Sequence, residues 1–320
     1  MAEITTQTLV NKIFPKITAE LDAANKNVLT RGERTGNLFR EINHGELLVE
    51  ESMDEQVMQA SYLSEGGIPN EVDVRDGFTA RRQMRQYGCQ LRVSPLVKKF
   101  QKMDLIAKAR AEMVRTPDNT FVALCLMLLE LGHDATLAPR SGGTTGVRLL
   151  DLTAIDRLSF FNTAHIWKNS HITNANRVAY MSMSETMINN MANVPLYWLT
   201  PNGEPMGGRV TGVAVPVGLR HETAKFFKSK GQVDTAATAT INTVREDFGD
   251  MDYTVIRELT NSATPATYWK TDIGRPPRIM WGFKPETTPT MDNLTQSDIL
   301  QLRFMLLVNA LDWRSMIRNG

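Results

Sequence analysis

Residues Gly142-Gly143-Thr144-Thr145-Gly146 are the nearest this chain comes to a phosphate cradle. A P-loop closes on Gly-Lys-Ser/Thr and a dinucleotide fold needs GxGxxG spacing; neither is present, so the run reads as a surface loop. His221-Glu222 opens like the zinc helix HExxH, but Lys225 stands where the second imidazole should be. That exchange removes a ligand and adds a positive charge, leaving the solvated first turn of a helix. His165 and His171 are six apart and do not share a helical face, yet Asp151 and Asp156 are near in sequence. They form the best candidate acid/base or metal cluster, set against histidines satisfied by hydrogen bonds in a core or loop. Asp250, Asp252 and Glu258 lack the spacing of a calcium loop and read as a solvated charge run before a strand. There is no GxSxG nucleophile elbow. Cys89 and Cys125 lie 36 residues apart with no CxxC partner, so both read as reduced, buried thiols. No catalytic, cofactor or metal site is expected.

Composition agrees with a structural role. The 320 residues allow two domains, and 42% apolar with 22% charged residues is ordinary for a globular chain. A net charge of +1 argues against an electrostatic nucleic-acid binder, which needs clustered basic residues. The first ten residues lack a basic region followed by an apolar core, so no secretory signal is expected. The longest apolar run, 121–129, is far shorter than a membrane span.

The elements that would carry these residues follow from pattern. Residues 1–40 read as a polar arm with a short helix at 9–21 and no core-forming density. From 47 to 93 the chain reads as extended, with Gly66-Gly67, Pro69 and Asp76-Gly77 as turns. Arginines 81, 82, 85 and 92 alternate there with Met84, Tyr87 and Leu91. A long two-stranded excursion of this kind cannot bury itself and needs another surface to lie on. Ser94-Pro95 starts a helix, with Leu96, Phe100, Met103 and Ala107 at helical spacing. Pro117 predicts a kink or break at 115–118, after which the helix runs to 131 and stops at Gly132. Its 121–129 half is apolar all round and therefore buried. An amphipathic helix bearing Met181, Met183, Met187 and Met191 comes next, then an Asn202-Gly203 turn. Strands are expected at 210–215, 253–258, 266–272 and 278–283. A last long strand places Leu302, Phe304, Leu306 and Val308 on one face and closes at Asp312-Trp313-Arg314.

Arm, extended hairpin, long helix, α/β unit with a helix after its first strand, and a returning strand: this order resembles the Hong Kong 97 fold of tailed-phage capsids, an α+β class. The second half looks like the Mu-like major head subunit family. The match is carried by Phe160-Phe161-Asn162 leading to His165, Asn202-Gly203-Glu204-Pro205, Val213-Ala214-Val215-Pro216 running into Ala224 and Phe227, Tyr268-Trp269 with Arg275-Pro276, and Asp312-Trp313-Arg314. It covers residues 80–320.

The resemblance implies an N-arm (1–40), E-loop and flanking strands (41–94, the hairpin itself at 58–92), a spine helix of the peripheral domain (95–134), an axial domain (135–288) and a peripheral return strand (289–320). It implies that Arg75, Phe78, Arg81, Arg82, Arg85 and Tyr87 contact a neighbouring subunit, and that the loop of Gly142, Gly143 and Gly146 stands near the axial tip. The implied function is a major capsid subunit that assembles with itself into pentamers and hexamers around double-stranded DNA. A separate scaffolding protein, a portal and a decoration protein would be its partners, DNA contact would be non-specific, and no membrane would be involved. The implied location is the virion, assembled in the host cytoplasm. Some members crosslink the E-loop through a lysine, but no Lys lies between Lys26 and Lys98 here, so a non-crosslinked particle is expected. Two alternatives remain: an encapsulin-type compartment of the same fold, and a soluble α+β enzyme built around His165 and Asp156.

Overall fold

The computed structural model describes residues 9, 13–25, 28–53, 77–100, 103–134, 152–229, 242–248, 251–260 and 262–320. The helices and strands among them run α1 (Phe14–Asn25), α2 (Val28–Arg34), β1 (Arg40–Asn43), β2 (Leu48–Ser52), β3 (Thr79–Gln83), β4 (Arg85–Val93), α3 (Pro95–Lys99), α4 (Met103–Leu131), β5 (His165–Ile166), β6 (Thr173–Asn174), β7 (Arg177–Val178), α5 (Glu185–Asn193), β8 (Val210–Pro216), α6 (Arg220–Lys228), α7 (Thr243–Phe248), β9 (Asp252–Ile256), β10 (Thr267–Thr271), β11 (Arg278–Asp292), β12 (Ser297–Asn309) and β13 (Met316–Asn319).

Period-two alternation builds the first sheet, ordered β1-β11-β12-β4. Leu300, Leu302, Phe304, Leu306 and Val308 of β12 all turn into the main core. On the other face Leu307 packs with Val49, Met84 and Met280 in a small second cluster beneath the β2–β3 ribbon. Strand β4 pairs antiparallel with β12 from Val93↔Asp298 to Arg85↔Leu306. Within the 78–93 segment β4 thus lies on its own chain, and among the described residues β3 pairs with β2. Of the hairpin expected at 58–92, residues 58–76 lie outside the described residues, and Arg85 and Tyr87 belong to the four-stranded sheet. Alternation cannot distinguish a free ribbon from a sheet edge, because both present one face.

The arm also differs from expectation. Phe14, Ile17 and Leu21, at i, i+3 and i+7, form a buried stripe on α1, which lies against β11 and α4. Thr18 and Thr287 hydroxyls meet at 2.7 Å, and Arg110 of α4 pairs with Glu20. Three apolar residues among polar ones give low density but a complete helical face.

Ser94 caps α3 as its residue type predicts, accepting the Val97 N–H at 3.4 Å. The helical run ends at the C-cap Phe100 rather than at Pro117, which lies inside an α4 assigned continuously from Met103 to Leu131. Pro117 is buried in the stripe Ile106, Met113, Phe121, Leu124, Leu128, so packing carries the helix across the missing N–H. Gly132 then ends it, as expected, with its N–H on the Leu128 carbonyl at 2.9 Å.

The second sheet is ordered β7-β13-β10-β8-β9. β8 and β9 are parallel, and α6 and α7 lie in the crossover between them, as a parallel pair requires. Strand β13, which pattern did not reveal, sits between β7 and β10. The expected domain limit at 288 falls inside β11, whose pairing with β12 runs from Arg278 to Asp292.

Candidate functional site

The residues with acid/base potential converge, but inside the protein. His165 begins β5, and Asp156 lies in the preceding turn, bridged by the Thr153↔Ser159 pair. His165 Nδ1 is 2.7 Å from Asp156 Oδ2, and both side chains have 0% exposure. The same carboxylate accepts the Leu158 and Ile166 N–H groups. His165 Nε2 lies 3.0 Å from Asn176 Oδ1. The Asn176 amide orientation follows from its network: Nδ2 donates to the carbonyls of Phe160, Trp313 and Met316, while Oδ1 accepts the Asn162 N–H at 2.8 Å. Both ring nitrogens thus face oxygen partners.

Aromatic packing seals the cluster. The Trp313 indole stacks on the imidazole at 4.8 Å and 4°, with Trp167 and Trp198 edge-on to Trp313. Arg314 lies over the Trp167 ring at 5.5 Å and holds Asp312 through Nε at 2.8 Å. A general acid must reach the proton it transfers; this imidazole is buried with both nitrogens engaged. Its geometry suits a fastener between residues 156–176 and 313–316. His171 is exposed and apart from the cluster, His221 is exposed on the first turn of α6, and Asp151 lies outside the described residues. No group of three or more His, Cys, Asp or Glu among the described residues is arranged to hold a metal ion.

The residues expected to touch a neighbour divide. Arg81 is exposed on β3 and pairs with Glu50 at 3.0 Å. Arg82 is buried and donates to the Thr153 carbonyl, tying the ribbon to its own chain. Phe78 and Arg85 are half-buried, and Tyr87 stacks on Phe304 at 5.8 Å. Burial pushes the Tyr87 phenol up, opposed by the Arg85 guanidinium. Arg75 and the Gly142, Gly143 and Gly146 loop lie outside the described residues.

What spacing did not reveal is how much apolar surface is left open. Leu96 and Phe100, placed at helical spacing by the sequence, are 64% and 66% exposed, with Leu105 beside them in sequence also exposed. Leu294, at the β11–β12 tip, is 96% exposed. That tip is held by Asp292, whose carboxyl is kept below the usual range by the Thr295 hydroxyl, the Leu294 N–H and Arg92. The turn is fixed while the Leu294 side chain stands open to solvent. No single-chain signal separates such residues from core ones.

No family model matches the chain, and no curated protein matches it. Solved structures do. A chain from the capsid of cyanophage P-SCSP1u aligns with a TM-score of 0.52 over 88% of this chain and 85% of its own, at 9% identity. The fold is that of a capsid chain. A chain from Mycobacterium phage Adephagia gives 0.52 over 90% and 89% at 12% identity, and one from the capsid of an empty GTA particle 0.50 over 89% and 95% at 10%. The likeness is one of overall fold, a mixed helix and sheet chain, at 9–12% identity.

Proposed function

We propose that this chain is a shell-forming subunit, the major capsid protein of a tailed phage with the Hong Kong 97-like fold. The observation that carries the proposal is the match to the cyanophage capsid chain over 88% of the sequence. The exposed Leu96, Phe100 and Leu294 support it, because such surface is stable in water when a neighbour covers it. Residues that carry the Mu-like resemblance, Phe160 to His165 and Asp312 to Arg314, meet in one fastener, which favours that subfamily. In this proposal α4 and the four-stranded sheet form the peripheral part, the five-stranded sheet the axial part, and the β2–β3 ribbon extends as the E-loop over an adjacent subunit. Pentamers and hexamers close around double-stranded DNA inside the virion, with scaffold, portal and decoration proteins as partners.

The same fold also suits an encapsulin-type compartment, and one experiment separates the two. Purified protein, with and without a co-expressed scaffold, is examined by size-exclusion chromatography and negative-stain electron microscopy. Closed shells or rings of five and six are expected, and particles from infected or induced cells should contain DNA. Particles holding a cargo enzyme would favour the compartment. A monodisperse dimer or tetramer under all conditions would refute the shell.

A further inference from the structure

Arg318 of β13 stands in a cross-strand row of the five-stranded sheet, in register with Tyr268 of β10 on one side and Arg177 of β7 on the other. It is 9% exposed, and among the described residues no carboxylate forms an ion pair with it. The acceptors that hold it are neutral. Its Nη1 donates to the Glu130 carbonyl at 3.1 Å and to Nδ1 of His133, and the guanidinium lies over the Phe161 ring at 6.0 Å. Both acceptors belong to the end of α4, where Gly132 closes the helix and its carbonyl takes the Phe161 N–H at 2.8 Å. The body of α4 packs on β4 and β12 of the first sheet, so Arg318 ties that helix to the second.

An arginine side chain only donates, so the nitrogen it meets on His133 has to be the bare one of a neutral ring. Protonation makes that nitrogen a donor facing a donor. It also sets a third cation beside Arg318 and Arg177, which are already like charges on adjacent strands. Around His133 the described charged and titratable groups are Glu130 and Asp134 on its own segment, and Arg318, Arg177 and Tyr268 from the sheet. The Glu130 carboxylate is turned to the Thr260 N–H at 2.8 Å, and the Tyr268 phenol is neutral in the acid range. Burial pushes the His133 imidazole down from its ordinary 6.5, with Arg318 and then Arg177 adding to this, against the Glu130 carbonyl and Asp134. His165 differs, because Asp156 stands at its Nδ1 to meet a proton with a counter-charge.

We propose that His133 is an acid-operated latch: as the neutral ring it accepts Arg318 and holds the end of α4 on the second sheet, and once protonated it expels the guanidinium and frees that end. A histidine held below its ordinary value contributes stability that is complete above pH 6.5 and is lost as pH falls through its folded value. The proton that works the latch comes from solvent, which the half-buried ring can reach. The latch rests on these contacts and not on the shell reading.

The test is hydrogen–deuterium exchange of the full-length, unassembled subunit, read by mass spectrometry at about pH 7.5 and about pH 5, with the intrinsic pH dependence of exchange divided out. Residues 128–134 and 316–320 should exchange about tenfold faster at the lower pH, while 210–216 in the same sheet keep their protection. His133→Asn stays neutral and offers a carboxamide oxygen near the Nδ1 position, so it should keep the latch closed at both values. His133→Lys, a fixed cation, should show it open already at the higher pH. Wild-type exchange indifferent to pH would overturn the proposal without any variant. So would the same acid response in His133→Asn, a His133→Asn protein open at both values, or protection lost at 210–216 together with the latch, which would mark general acid unfolding.

Discussion

Asn176 shows how a single buried amide can organise a domain. It bonds three carbonyls and accepts from Asn162 and His165, joining segments almost 140 residues apart. Asn176→Leu should therefore cost about 3–5 kcal/mol in urea unfolding of the unassembled subunit, the sum of several stranded groups. His165→Ala should lower stability by a comparable route and remove no turnover; a specific activity lost from a fully stable variant would revive the enzyme alternative. Tyr268 supplies a pH dependence. Burial pushes its phenol up to about 12 from its usual 10, with Arg318 opposing and Glu130 adding. The fold favours the neutral phenol, so this stabilisation is complete below pH 10 and is lost as pH rises through about 12. The expected loss is about 2–3 kcal/mol, seen as alkaline unfolding with tyrosinate absorbance at 295 nm appearing together with it.

Elements are fastened by a few buried ions as much as by apolar packing. Arg31 of α2 is 2% exposed, reaches Glu41 of β1 at 3.1 Å and Asp118 of α4 at 2.8 Å, and lies over Phe121 and Trp281. Arg31→Ala should cost about 3–5 kcal/mol, because it leaves two carboxylates facing each other without their cation; chemical denaturation would measure it, and a change below 1 kcal/mol would show that solvent replaces the guanidinium. The elements legible in the sequence were those whose stability is written locally. Strand β12 alternates, β8 is apolar but for Thr211, and α3 opens on Ser94-Pro95. Strand β13 was not legible: its Asn319 is fully buried, but the partner that makes this tolerable is the backbone of Met181, 138 residues away. Likewise His165 and Asp156 stood out as a pair, yet Asn176 and Trp313, which make them structural, carry no local sign of belonging to them.

At the scale of the whole molecule, absence of a lysine between Lys26 and Lys98 fixes an expected outcome for the particles of the proposed shell. Boiled in denaturant and run on a gel, they should give one band at the 35.9 kDa subunit mass, and a covalent ladder would show crosslinking from another residue. The sheet order carries a different consequence, one of timing. β1 waits for β11, β4 for β12, and β7 for β13, so neither large sheet is complete until residues beyond Arg278 have joined. Contacts this distant make folding slow and leave strand edges open meanwhile. On a ribosome, a half-made chain therefore has neither large sheet complete. In the proposed shell, folding would act as a checkpoint: a stalled or truncated subunit would be kept out of the lattice, at the expense of open edges while the last strands are awaited.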